Sequence, residues 1–205
     1  MTRVLLINQS FYPDLAASGQ YLTDLAFSLQ EQGAQVRVLT SKHAYIEQEV
    51  NSFSSFEEYR GITIRRIAVP GARWRQRYLR MLSSILLNIF LMLVYLLLPR
   101  NEKVVVLTSP PLLFWFIAFA NMFRHHAELY FWSMDLNPQQ AIETGWVKKE
   151  SFLAHTLLCF NRFFLKKAKK IFALDEAMRE RLLENGVPDD RIVLSPLWTD
   201  LARLA

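Results

Sequence analysis

The first forty residues constrain the fold most. From Val4 to Ile7 the chain is apolar without alternation, the pattern of a central strand buried on both faces of a parallel sheet. Pro13 and Asp14 break it into a loop. Leu22, Leu25, Ala26 and Leu29 recur at helical spacing and form one apolar face. Gly33 suits the position just past a helix, where a left-handed backbone is needed. Val36, Val38 and Leu39 supply a second strand. A strand-helix-strand unit of this kind crosses over right-handed. Ligands of such open sheets bind at the carboxyl ends of the strands, near the point where the winding reverses. The loop 9–19 is therefore the first candidate for function.

That loop carries no dinucleotide fingerprint, which would place three glycines between strand and helix; it has one, Gly19. The G-x-x-x-x-G-K-[ST] phosphate loop is absent from the chain. Two roles stay open for Ala16-Ala-Ser-Gly19. Ser18 can simply cap the following helix. Alternatively the backbone N–H groups at a helix start meet a phosphate or a sugar hydroxyl.

Further along, 41–61 is polar and mixed and is expected to be an irregular excursion. Ile62 to Val69 is a strand with Ile62, Ile64 and Ile67 inward, stopped by Pro70-Gly71. Lys103 to Thr108 is another buried strand, and Ser109-Pro-Pro111 leads into an apolar helix over 112–123, where proline in the first turn is favoured. Glu128 to Trp132 is a strand, with Ser133 to Pro138 the loop at its carboxyl end. A helix covers roughly 150–168 and ends in Lys166-Lys-Ala-Lys-Lys170. Ile171 to Leu174 is a strand, Asp175 caps a helix closed by Gly186, and Ile192 to Leu194 is the last strand. Alternating strands and helices predict an α/β, doubly wound, mostly parallel Rossmann-like sheet. We expect one domain over 1–195, with 196–205 leading out of it. The three loops 9–19, 109–111 and 133–138 should share one edge of the sheet. Asp135 is the acid among them, able to orient a hydroxyl, act as a base, or cap its own loop.

The segment 72–98 is the least ordinary. Arg73, Arg75, Arg77 and Arg80 are interleaved with Trp74 and Tyr78. Met81 to Leu98 then runs eighteen residues with Ser83, Ser84, Asn88 and Tyr95 as its polar side chains. A buried core helix, a helix lying in a bilayer surface and a membrane span are three readings of such a segment. The arginine-aromatic flank suits membrane contact, or else a solvated basic face.

Composition adds bounds. With 205 residues, 52% of them hydrophobic, the chain can fill a sizeable core. A net charge of +5 and a pI near 9.4 point to an anionic partner. No nucleic-acid module is recognisable, so nucleic acid is not expected. The single cysteine, Cys159, excludes an internal disulfide. No spaced Cys/His cluster calls for a metal, and the adjacent His125 and His126 would point to opposite faces of a strand.

Taken together, several segments resemble family 4 glycosyltransferases of the GT-B fold. They are Tyr12-Pro13 with the Ala-Ser-Gly loop, Glu31-Gln-Gly33 and Val36 to Thr40, then Thr108-Ser-Pro-Pro111 and Asp135-Leu-Asn-Pro138, and finally Ala177-Met-Arg-Glu-Arg-Leu and Ile192 to Asp200. The bacterial exopolysaccharide members, the colanic acid-type sugar transferases, are the most similar group. The resemblance covers almost the whole chain. It implies an acceptor-binding half, with Tyr12, Ser18, Gly19, Gln20 and Ser109 on the acceptor side and Asp135 catalytic. It implies transfer from a nucleotide sugar to a lipid-linked saccharide at the cytoplasmic face of an inner membrane, with no metal or other cofactor. Many members carry a histidine directly before the acid; here it is Met134, so no catalytic histidine is carried over. The resemblance places most of the nucleotide-sugar site, including a Glu-x7-Glu motif, in a second domain that would begin where this chain stops, so the chain alone is expected to be inactive. A non-catalytic, membrane-associated Rossmann-like binding module is the competing expectation.

Overall fold

The structure, a computed structural model, describes residues 2–44, 52–69, 77–100, 103–123 and 127–198. The opening unit is as expected: β1 (Arg3–Ile7), α1 (Ala17–Glu31) and β2 (Gln35–Ser41), with β1 and β2 parallel. An antiparallel hairpin follows, β3 (Phe56–Tyr59) and β4 (Ile62–Ile67). Then come α2 (Arg77–Leu97), β5 (Lys103–Leu107), α3 (Leu113–Phe123), β6 (Glu128–Trp132), a short α4 (Gln139–Glu143), α5 (Phe152–Leu165), β7 (Lys170–Ala173), α6 (Glu176–Glu184) and β8 (Ile192–Leu194).

The eight strands form one sheet in the order β3-β4-β2-β1-β5-β6-β7-β8, parallel except at β3. From β1 the chain winds one way through β2 to the hairpin. α2 then carries it back across the sheet to β5, which pairs with β1 in parallel, and it winds the other way to β8. The reversal lies between β1 and β5, so this is the switch point of a doubly wound sheet.

Both faces are apolar, which explains the unalternated strands. One face packs Leu5, Ile7, Val104, Val106, Leu129 and Phe131 against Leu87, Leu91 and Tyr95 of α2, Ile117 of α3 and Phe164 of α5. The other packs Val4, Leu6, Val36, Val38, Ile62 and Ile64 against Leu22 and Ala26 of α1. Trp198 covers part of that second face, stacked on Trp132 with ring centroids 5.4 Å apart and edge-on to Tyr21.

Three expectations are corrected. Part of the excursion 41–61 is ordered as β3, joined to β4 through Arg60 and Gly61, both at positive φ (49° and 75°). That pair of left-handed residues is what a tight hairpin needs. Second, strand alternation from Ile62 and Ile64 turns Arg66 inward, where it is 3% exposed; Ile67 faces the α2 side, half-buried. Third, Ser18 does not cap α1. The N-cap is Ala16, without a side-chain cap, and the Asp14 carboxylate instead accepts the Ala16 N–H at 3.2 Å. By contrast Asp175 caps α6 as expected, accepting the Met178 N–H at 2.7 Å, and Gly33 and Gly186 close their helices at positive φ.

The apolar segment after the arginines is α2, and it divides lengthwise. Ser83, Leu87, Asn88, Leu91 and Tyr95 are buried, on the side facing the sheet and α3, whereas Tyr78, Met81, Leu82, Ile85, Leu93 and Leu97 are exposed. Arg73, Trp74 and Arg75, the side chain of Arg77, and the pair His125-His126 lie outside the described residues. Tyr78 and Arg80 begin the helix and are exposed.

Candidate functional site at the switch point

At the carboxyl edge, the loops after β1, β2, β5 and β6 are tied into one row. The Gln9 N–H donates to the Ser109 carbonyl at 2.7 Å, and the Ser109 hydroxyl reaches Gln9 Oε1 at 3.2 Å. The Gln9 carbonyl accepts from the Ser41 N–H at 3.0 Å and from Thr40 Oγ1 at 2.8 Å. One strand further along, Thr108 Oγ1 accepts the Met134 N–H at 2.7 Å and the Asp135 N–H at 3.3 Å. Gln9, Ser109 and Asp135 thus stand at the same end of the sheet, as the expected sharing of one edge requires. Peptide bonds before Pro13, Pro110 and Pro138, one in each candidate loop, are cis.

Gly19 sits one turn into α1. A Cβ there would lie 3.1 Å from Ser10 Cβ and 3.2–3.3 Å from the backbone at Ser10 and Phe11. The glycine lets the loop lie directly on the helix. Asn8 and Thr23 fix that contact: Asn8 Nδ2 donates to the Ser10 carbonyl at 2.8 Å and to Ser18 Oγ at 3.3 Å, and Thr23 Oγ1 accepts the Tyr12 N–H at 3.2 Å. Ser18 therefore serves to hold the loop.

Two other predicted acceptor-side residues are engaged locally. Gln20 Nε2 donates to the Leu15 carbonyl at 2.8 Å. The Tyr12 ring stacks on Tyr59 of β3, centroids 4.6 Å apart, and the hydrogen bond with Tyr59 raises the Tyr12 phenol above its ordinary pKa. The Tyr12 carbonyl accepts from Arg66 at 2.8 Å.

Beside the switch point opens a cavity of about 530 Å³. Gln9 and Ser109 form its floor together with Ser41 and His43. Arg80, Ser83 and Ser84 of the first turns of α2 form one wall, and Trp146 lies at its rim, 58% exposed. Hydroxyls, an amide, a guanidinium and an indole are the chemistry that holds a hydroxylated, anionic ligand. Met81 also lines the cavity and is exposed on the outer side of α2. Sequence reasoning singled out Ser109 for the acceptor side and Arg80 for membrane contact, but neither His43 nor Trp146. No periodicity marks either residue; only the fold brings them to the loops. A second cavity of about 540 Å³, between Arg37, Arg65 and Leu98, has none of the predicted site residues in its lining.

Asp135 stands one strand away from this cavity and does not line it. The residue is exposed to solvent, yet protein packed around the carboxyl raises its pKa above the ordinary aspartate value. Solvent access limits the size of that effect. Among the described residues no three His, Cys, Asp or Glu side chains converge as a metal site would require.

Solved structures with the same fold include sucrose-phosphate synthase from Thermosynechococcus elongatus, 13% identical over 98% of this chain and 49% of that one, with a TM-score of 0.65. HepE from Anabaena, solved with UDP-glucose, is 11% identical over 98% of this chain and 45% of its own, TM-score 0.55. The lipopolysaccharide outer core galactosyltransferase WaaB is 8% identical over 96% of this chain and 46% of its own, TM-score 0.56. The chain thus spans about half the length of these proteins. A search of curated proteins by sequence gave no match. Residues 17–198 match the glycosyl transferase 4-like domain, and the chain belongs to that family.

Proposed function

We propose that this domain is the acceptor-side half of a glycosyltransferase that moves a sugar from a nucleotide sugar to a lipid-linked saccharide in exopolysaccharide assembly. The observation that carries the reading is the cavity at the switch point. Its hydroxyl-rich floor, the guanidinium of Arg80 and the rim of Trp146 suit a saccharide joined to phosphate, and Met81 connects it to the exposed apolar stripe of α2. A head group in the cavity and a hydrocarbon tail along α2 would satisfy both surfaces. The similarity to HepE and WaaB is one of fold; the nucleotide sugar in the one and the lipopolysaccharide role of the other agree with this reading.

In the proposed transfer the bond between the sugar C1 and the diphosphate oxygen breaks. A glycosidic bond forms to an acceptor oxygen, the acceptor proton passes to a base, and the nucleoside diphosphate leaves. Asp135, one strand from the cavity, is the proposed base for an acceptor hydroxyl that extends along the carboxyl edge past Ser109, and burial raises its pKa towards the range where a carboxylate takes a proton effectively. The nucleotide sugar would be held mainly by a second domain, and no metal or other cofactor is invoked. The enzyme would work in the cytoplasm, peripheral at the inner membrane, with Arg73, Trp74, Arg75, Arg77, Tyr78 and Arg80 against anionic headgroups.

The test is to assay the 205-residue chain with a donor-binding domain of the family supplied in trans. Arg80→Gln and Trp146→Ala should each raise the KM for a polyprenyl-diphosphate-linked saccharide about tenfold, the loss of one charged or stacking contact, while the KM for the nucleotide sugar stays unchanged. Unchanged acceptor KM in both variants of an active pair would sink the assignment of the cavity. Transfer by the chain alone would overturn the division of labour.

A further inference from the structure

The exposed stripe of α2 does not end at that helix. Tyr95 of α2 donates to Asn121 Oδ1 of α3 at 2.7 Å, and Asn88 donates to the Pro111 carbonyl at 2.8 Å. Trp115 of α3 stacks on Phe164 of α5, centroids 5.8 Å apart, and donates to Asn161 at 3.1 Å. The three helices therefore form one layer on the same face of the sheet. Their outward side chains are large and apolar: Ile85 and Leu93 on α2, Phe119 and Phe123 on α3, Phe160 and Phe163 on α5, all exposed. A groove of about 350 Å³ runs between the helices, lined by Met92, Trp115, Phe116, Phe119, Phe160 and Phe164. Contiguous apolar surface on this scale marks an interaction site.

The charges select the occupant. The three helices contain no aspartate or glutamate. Basic side chains rim the layer at both ends: Arg80 and Lys148 at the carboxyl edge of the sheet, Arg100, Lys166 and Lys167 at the other, all exposed. The Lys167 ammonium lies over the Phe163 ring, 4.7 Å from its centroid. A ring below and a cation above it is how a side chain pair sits across the boundary between hydrocarbon and headgroups. A second copy of this chain would bring the same basic rims against each other.

We propose that the α2–α3–α5 layer is a monotopic membrane face, seated in the outer hydrocarbon of a lipid bilayer, with an acyl chain in the groove at Trp115. This goes beyond docking led by the arginines before α2, because the larger contribution comes from apolar area on α3 and α5.

Co-sedimentation of the 205-residue chain with vesicles tests it, independently of any transferase assay. The chain should bind neutral phosphatidylcholine vesicles and bind more tightly when phosphatidylglycerol is added. Phe119→Ser with Phe160→Ser, both at exposed positions, should lower partition to either vesicle by about tenfold or more, from the apolar area withdrawn. Arg80→Gln should weaken binding to the anionic vesicle alone. Thermal melts of the variants matching that of the parent exclude unfolding as the cause. Two outcomes overturn the proposal: partition unchanged in the double variant, or no binding to either vesicle. In the second case a dimer in sedimentation velocity that the double variant abolishes would assign the face to a second copy.

Discussion

Arg66 Nη2 donates to the Tyr12 carbonyl at 2.8 Å, so a buried cation on β4 holds the loop that follows β1. The same guanidinium donates to the Ser54 carbonyl at 3.2 Å, pairs with Glu57 at 2.6 Å and lies over the Phe53 ring. Charge-assisted bonds of this kind to buried carbonyls are among the stronger ones. Arg66→Met keeps an unbranched stem but removes the guanidinium and leaves two carbonyls unpaired. It should cost on the order of 2–3 kcal/mol, discounted here because Glu57 remains partly solvated. Chemical denaturation checks the loss, and amide exchange at Phe11–Ala16 should speed up ahead of the rest of the sheet. Equal protection in the variant would remove Arg66 from the loop's support.

Thr108 tests the other half of the row. Its hydroxyl accepts the Met134 and Asp135 N–H groups and donates to the Trp132 carbonyl at 3.3 Å. Thr108→Val is nearly isosteric and strands the Met134 N–H. We expect a loss of about 1–3 kcal/mol, with Thr108→Ser recovering most of it. A valine variant as stable as the parent would show that water takes over the hydroxyl's role.

Gly19→Ala separates propensity from packing. In an open helix the change gains up to about 1 kcal/mol. Here the new methyl meets backbone at Ser10 and Phe11 at 3.2–3.3 Å, and backbone yields less than a side-chain tip. The net effect should be destabilising by about 1–2 kcal/mol. A raised melting temperature would mean that the loop moves off the helix at little cost.

Asp135 carries a pH signature of defined sign. Its pKa is raised in the folded chain, so the folded state holds this proton more tightly than the unfolded state does. Stability contributed by the group is therefore present below the unfolded aspartate pKa and falls as pH rises through the folded one. Asp135→Asn should be at least as stable as the parent at neutral pH, with the difference closing on acidification. Denaturation curves at both pH values decide it; an asparagine variant less stable at neutral pH would show that the carboxylate has a favourable partner.

The central elements were legible in the sequence because unalternated runs such as Val4–Ile7 and Val104–Leu107 admit few other roles in a chain with helices between them. β3 was hidden because Phe56-Glu-Glu-Tyr59 is a half-exposed edge strand with little apolar pattern. α4, Gln139–Glu143, has no buried stripe to reveal it. Arg66 was overlooked for a different reason. A charged residue on the inner side of a strand is tolerated only with partners, and those come from Ser54, Glu57 and Tyr12, scattered in sequence. Within the candidate site the loops were legible from strand ends alone, whereas Trp146 and His43 belong to it only through the way the chain is folded. Ser18 had the right residue type for a cap, yet Asp14 turns the chain two residues earlier.

The length of α2 has a mechanical consequence. Twenty-one residues make a rod about 31 Å long. To pass from the end of β4 to the start of β5 it must cross three strand spacings, about 14 Å, and one strand length, about 17 Å, a diagonal of roughly 22 Å. The rod therefore overhangs the sheet by roughly 9 Å, shared between its ends, where Tyr78 and Leu97 are 67% and 81% exposed. It works as an outrigger. Laid on the proposed membrane plane, a rod longer than the sheet is deep would resist rocking of the sheet along the strand direction.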